Sequence, residues 1–169
     1  MKVVEKEEKF LVEVIEKKEL WDKEFLIYQW YLSASYEENT KIKVIFDFQT
    51  LKAKLVQVSK IRLNDNLFEK EIKYLNKDEV NFFDLIGCSF VAKRRSIKNN
   101  IFLDKFIRSN GLCDYLLEIE DEGVITDNII LLENVTNDSN YYNQNLCIEF
   151  DELELKTFLT IFDCFEFYK

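Results

Sequence analysis

The chain has 169 residues, of which 47% are apolar and 33% charged, and a formal net charge of −9. That length suits one domain with a full core, and that composition excludes a disordered polymer. An acidic chain repels double-stranded nucleic acid and anionic membranes unless its bases, 23 Lys and Arg in all, are gathered in one place.

Period-two alternation of apolar and polar residues predicts strands near 2–14, 25–33, 41–48, 54–63 and 67–75. A helical stretch follows at 76–86, where "NKDEVNFFDLI" opens on a capping Asn or Asp and carries Val80, Phe83 and Leu85. Strands resume near 90–98, 101–107 and 115–121. Two more helical candidates close the chain. One starts at "NDSN" and runs over 137–146. The other, over 151–166, puts Leu155, Phe158, Leu159, Phe162 and Phe165 on one stripe. The expected class is α+β, dominated by antiparallel sheet with helices packed outside it. With 3 Gly and 0 Pro there is little from which to build a linker, and no repeat or low-complexity tract is present.

Residues i, i+2 and i+4 of a strand share a face. One face of the first strand carries Glu5, Glu7 and Lys9. The third carries Lys41 and Lys43, the fourth Lys60 and Arg62, and the fifth Glu69, Glu71 and Lys73. Next come Lys93 and Arg95, then Asp104, then Glu118 and Glu120. The opposite faces are largely apolar, with Ile42, Val44, Ile61, Phe68, Leu117 and Ile119. A solvated face mixes signs within each strand. Here three strands present paired bases and three present groups led by acids, which repel unless a cation or nearby bases offset them. The pattern fits a barrel with its charges inside, where carboxylates hold Mg²⁺ or Mn²⁺ and bases hold phosphate oxygens.

The chain has 4 Cys and 0 His. Cys88, Cys113, Cys147 and Cys164 form no C-x-x-C pair and read as isolated buried thiols. Without His there is no Ser-His-Asp triad and no H-E-x-x-H site, so any catalysis falls to carboxylates, Lys, Arg or Tyr. Charges at Lys2, Glu5, Lys6, Glu7 and Glu8 interrupt any N-terminal apolar run. No uncharged run approaches transmembrane length, so the cytoplasm is the expected location.

As an ordered set these segments resemble the CYTH superfamily, the triphosphate tunnel metalloenzymes. "EKEEKFLV" at 5–12 fits the family's E-x-E-x-K signature. "IYQWYLS" at 27–33 is similar to its Q-x-Y-L strand, "KIKV" at 41–44 to its R-x-R strand, and "VSK" at 58–60 to its T-I-K. "FEKEI" at 68–72 resembles an E-x-E strand, "VAKRR" at 91–95 an I-x-K-x-R strand, and "FLDKF" at 102–106 a D-x-F strand. "GLCDYLLEIE" at 111–120 is similar to G-L-x-x-x-E-x-E, and "NVTNDSNYYNQNL" at 134–146 to E-V-T-x-D-x-x-Y-Y-N.

The resemblance covers residues 3–146 and implies an eight-stranded antiparallel barrel forming a tunnel. Residues 1–146 would form that domain and 147–169 a C-terminal extension, a helix packed on the same domain. The resemblance implies metal ligands at Glu5, Glu7, Glu118 and Glu120, with Glu69, Glu71 and Asp104 as further candidates. It implies phosphate ligands at Lys9, Lys41, Lys43, Lys60, Lys93 and Arg95. Arg62 joins them by sharing a face with Lys60. Glu5, Glu7, Lys9, Glu118 and Glu120 form the expected catalytic set. Phe102 stands where many members have a second acid, and Lys41 and Lys43 replace Arg, losing a bidentate fork for phosphate. The implied activity is Mg²⁺- or Mn²⁺-dependent hydrolysis of a triphosphate. Inorganic tripolyphosphate is favoured over thiamine triphosphate or a nucleoside triphosphate. The alternatives are a class IV-like adenylyl cyclase and a non-catalytic polyphosphate- or nucleotide-binding module. A homodimer is compatible with the sequence, with no double-stranded nucleic acid and no membrane as partner.

Overall fold

A computed structural model describes residues 1–14, 21–125 and 129–168. The strands are β1 (Lys2–Val14), β2 (Lys23–Ala34), β3 (Glu38–Asp47), β4 (Lys52–Arg62), β5 (Leu67–Leu75), β6 (Ser89–Lys98), β7 (Ile101–Arg108) and β8 (Tyr115–Glu120). Around the sheet their order is β6-β2-β3-β4-β5-β1-β8-β7, and β7 pairs with β6 again. All eight pairings are antiparallel, so the strands form a closed barrel that leaves none of the eight as a free edge.

The closing pair owes its register to a two-residue turn. Asn99 (φ 47°) and Asn100 (φ 62°) are both left-handed, the geometry whose twist matches a β-hairpin and which Asn tolerates. Lys98 then faces Ile101, and Arg95 faces Asp104.

Three further short strands were not legible as alternation. They are β9 (Ile129–Asn134), β10 (Ile148–Glu149) and β11 (Glu166–Phe167), which flank β1, β6 and β4. The helices expected outside the barrel reduce among the described residues to one, α1 (Glu152–Phe162). Over 76–86 and 137–146 the chain instead makes short 3-10 turns, at Lys77–Glu79, Phe82–Leu85, Ser139–Tyr141 and Asn143–Asn145. Side-chain oxygens of Asn81 and Asp138 bond backbone N–H groups two residues on, an alternative to continued helix.

Helix α1 starts at Asp151, whose side chain accepts the Glu154 N–H at 2.9 Å. Its buried stripe, Leu155, Phe158 and Phe162, packs on Tyr28, Trp30, Val44, Phe46 and Leu55 from the outer faces of β2, β3 and β4. Phe165 joins that core from beyond the helix end. The Phe158 ring lies 4.7–5.2 Å from the rings of Phe82, Trp30, Tyr28 and Phe162. A second apolar surface, Leu103, Leu117 and Ile119, is covered instead by Val12 and Ile129 on the paired ends of β1 and β9. One helix suffices because this ribbon covers the other side. Among the described residues no helix is long and apolar enough to cross a membrane.

Phe158 is 0% exposed. Phe158→Ala should lower unfolding free energy in urea by about 3–5 kcal/mol, the cost of a large core cavity. Phe83→Ala, in a chain position where the ring is largely exposed, should change it by less than about 1 kcal/mol.

Candidate functional site: a charged cavity inside the barrel

Residues directly opposite one another in adjacent strands share a face. Glu7 lies opposite Glu120, and Lys9 opposite Glu118. Glu5 lies opposite Phe68, and Lys60 opposite Lys70. These side chains point inward, away from the two outer cores. The resulting cavity is narrow, with about 80 Å³ of room for water-sized molecules between its charged side chains. Eight bases line it, Lys9, Lys41, Lys43, Lys60, Arg62, Lys70, Lys93 and Arg95. A chain of net charge −9 thus gathers a third of its Lys and Arg in one place.

The acidic wall is made by Glu5 and Glu7, each 5% exposed. Lys60 bridges them, 3.1 Å from Glu5 and 2.5 Å from Glu7. Lys9 reaches Glu7 at 3.0 Å, and Lys70 pairs with Glu5. Burial opposes ionisation of Glu7, but the ammonium groups of Lys60 and Lys9 outweigh it and hold the carboxyl far below its usual range. Glu5 is lowered for the same reason by Lys60 and Lys70. Glu120 makes no ion pair among the described residues. Burial, with the nearby Glu5 carboxylate, pushes it up to about 7.

Across the cavity, Asp104 is locked. Lys93 donates to its Oδ2 at 2.6 Å, and Arg95 donates to both its oxygens at 2.6 Å. Arg95 also donates to Glu118 at 2.6 Å. Burial opposes ionisation of Glu118 too, and Arg95 and Lys93 carry it well below its ordinary value. Asp104 is 0% exposed and does not line the cavity. It holds Lys93 and Arg95 in place from behind. Phe102 lies under Arg95, ring centre 5.1 Å from the guanidinium carbon. The apolar residue at that position thus stacks on the cation.

Three of the eight bases pair with no carboxylate among the described residues: Lys41, Lys43 and Arg62, the last bonded to backbone carbonyls instead. Lys41 and Lys43 make no ion pair with the described residues, and Lys41 is 7% exposed. Burial, then the neighbouring Lys43, carries Lys41 well below the usual lysine value. Burial and the Arg95 guanidinium lower Lys43 to about 7. Tyr31 faces Lys41 from 5.5 Å, and its hydroxyl accepts from Gln29 at 2.9 Å. At the mouth, the Arg62 guanidinium carbon sits 4.4, 4.7 and 4.9 Å from the rings of Tyr36, Phe68 and Tyr142. Two of its N–H groups go to the carbonyls of Tyr36 and Asp65.

Glu5, Glu7 and Glu120 offer carboxylate oxygens within 4.8 Å of one another. A hard-oxygen set of this kind is chemically suited to Mg²⁺ or Mn²⁺, around which the three carboxylates would draw closer together. Lys60 and Lys70 now neutralise part of the set and would have to turn toward an incoming anion.

Of the expected site residues, Glu69 and Glu71 are corrected. Lys60 faces Lys70, which turns Lys70 and Phe68 inward and Glu69 and Glu71 outward. Glu69 pairs with Lys2 on the surface at 3.1 Å. Lys70 was missed because the parity of β5 is set by the turn after Arg62, not by the alternation within the strand. Asn143 was also missed. It accepts from Lys93 and donates to Glu118, both at 3.4 Å, and stands in a 3-10 turn with no periodicity to read. All the other expected ligands except Asp104 line the cavity.

No protein-family model matches this sequence, and no curated protein matches it.

The titrations predict an unusual pH profile for the ligand-free protein. Glu120, raised to about 7, is protonated in the folded chain where the unfolded chain is not, so its contribution falls as pH rises from about 4.5 to 7. Lys43, lowered to about 7, binds fewer protons folded than unfolded, so stability rises between pH 7 and about 10.5. Lys41 acts in the same direction as Lys43. Melting temperature should pass through a local minimum near pH 7, and Lys43→Met should flatten the rise above it. A maximum at neutral pH would contradict these assignments.

Proposed function

We propose that this chain binds a triphosphate inside its barrel and hydrolyses it with Mg²⁺ or Mn²⁺, with tripolyphosphate the favoured substrate. One observation carries this reading. Two lysines without carboxylate partners among the described residues, buried Lys41 and half-buried Lys43, share a cavity with three converging carboxylates, Glu5, Glu7 and Glu120. Buried uncompensated cations are costly, and a polyanion removes that cost. The convergent acids supply what a polyanion alone would not need.

In this reading Lys41, Lys43 and Arg62 take phosphate oxygens, and Lys9, Lys60 and Lys93 complete the basic wall. Glu5, Glu7 and Glu120 would hold a divalent cation, whose chemistry is neutralisation of phosphate charge and Lewis-acid activation. The locked Asp104 and Arg95 keep the basic wall from reorganising as charge develops. Proton transfer near neutral pH falls to Glu120 and Lys43. With Glu120 engaged by a cation, Lys43 is left to take a proton when the anion arrives and return it to the leaving phosphate oxygen.

The second reading is a binding module without turnover. It is favoured by the complete neutralisation of Asp104 and by Phe102 at a place where an acid would add a further metal ligand.

The deciding measurement is phosphate release from tripolyphosphate, thiamine triphosphate and nucleoside triphosphates with Mg²⁺ or Mn²⁺. Cyclic AMP is followed in parallel on ATP. EDTA should abolish release. Glu7→Gln should lower kcat/KM by roughly 10²-fold, close to 3 kcal/mol. Glu8→Gln, one residue along on the outer face of β1, should be nearly silent. Equal effects of the two substitutions would refute the reading. Metal-dependent binding with no turnover would favour the module.

A further inference from the structure

Every oxygen of the two buried carboxylates on β1 already holds an ammonium group. Lys60 lies 3.1 Å from Glu5 Oε1 and 2.5 Å from Glu7 Oε2. Lys70 pairs with Glu5 Oε2, and Lys9 lies 3.0 Å from Glu7 Oε1. Lys60 is the one base that bridges both acids among the described residues, so its Nζ stands between two of the three carboxylates suited to a cation. Its other neighbour is different. Across the β3–β4 pairing Lys60 lies directly opposite Asn39, and Lys41 is the next inner-face residue along β3. Both line the cavity. The Asn39 side-chain oxygen is buried and accepts no hydrogen bond from the described residues. A lysine carries three donors on a flexible stem. Lys60 therefore has two seats within reach, the carboxylates of β1 on one side and Asn39 with an anion held by Lys41 on the other.

We infer that Lys60 is a switch that makes metal and anion bind tightly only together. Its ammonium holds the cation's place between Glu5 and Glu7, and leaves it when a phosphate arrives beside Lys41. The inference rests on the triphosphate reading of the same site and adds how its two ligands depend on each other. A divalent cation entering alone must displace Lys60. The freed ammonium then stays in a cavity where Lys41, Lys43 and Arg62 already lack carboxylate partners, and a buried charge without a counter-charge is costly. An anion entering alone draws Lys60 to its second seat and takes one cation from each of Glu5 and Glu7. Each ligand thus removes the penalty of the other, and linkage makes the coupling reciprocal. Lys9 and Lys70 cannot act in this way, because each reaches only one of the two acids.

The test measures Mn²⁺ alone on the intact protein by electron paramagnetic resonance, which counts the free ion. Calorimetry follows tripolyphosphate in EDTA and as its Mg²⁺ complex. Lys60→Met should bind Mn²⁺ alone roughly 10- to 100-fold more tightly than wild type, the equivalent of the charge-assisted bonds that no longer compete. The same substitution should weaken tripolyphosphate in EDTA, because the lysine that blocks the cation also serves the anion. Lys70→Met removes an equal charge from Glu5 alone and should gain clearly less Mn²⁺ affinity. Lys60→Gln, which keeps a polar chain in the lumen, should repeat the Lys60→Met pattern and guards against a methionine that fails to fold. Mn²⁺ binding equally to wild type and the Lys60 variants, an equal gain from Lys70→Met, or unchanged tripolyphosphate affinity would overturn the switch and leave the triphosphate reading standing. Failure of wild type to bind tripolyphosphate with or without Mg²⁺ would overturn the triphosphate reading, and the switch with it.

Discussion

Ion compensation inside the barrel is the constraint on which the rest of the structure depends. Turning Glu5, Glu7, Glu118 and Asp104 away from water costs several kcal/mol per charge unless each meets a partner in good geometry. Lys60 between Glu5 and Glu7, and Arg95 between Asp104 and Glu118, supply those partners from different strands. Each bridge therefore also pins one strand against another. The lumen contributes register and rigidity more than net stability.

Stability must come from outside the lumen. The aromatic core beneath α1 and the smaller core between β8 and the β1–β9 ribbon bury apolar faces that would otherwise meet water. This inverts the usual small barrel, in which apolar side chains fill the interior. The interior is released from packing, and its side chains can be chosen for charge. A third apolar cluster, Val91, Phe106, Leu116, Val135 and Leu146, packs where β6, β7 and β8 meet the segment after β9. The charged site is thus confined to a band between apolar regions, where the local dielectric strengthens each electrostatic contact.

Within that band compensation is uneven. The Asp104 side is saturated, with short hydrogen bonds to both carboxylate oxygens. The Lys41 and Lys43 side is not. A purely structural charged core would distribute its partners to relieve both sides. Two lysines are left uncompensated in the same cavity that Glu120, itself pushed up to about 7, also lines.

The alternation in the sequence by itself determined much of this. Eight strands appear close to their expected bounds, because period-two patterning over a half-buried surface leaves a dense signal. The parity of Glu5, Glu7, Lys9, Lys41, Lys43, Lys60, Lys93, Arg95, Glu118 and Glu120 was legible for the same reason. Tertiary structure alone decided the parity of β5, because the turn at Leu63–Asn66 sets whether Glu69 or Lys70 faces inward. It also decided which charges are free. Asp104 and Lys41 are both inward-facing charges in the sequence. Only the register of β7 on β6 puts Lys93 and Arg95 against Asp104, while none of the pairings puts an acid against Lys41. Spacing along a strand fixes a side chain's face, but its partner comes from strands far away in the chain.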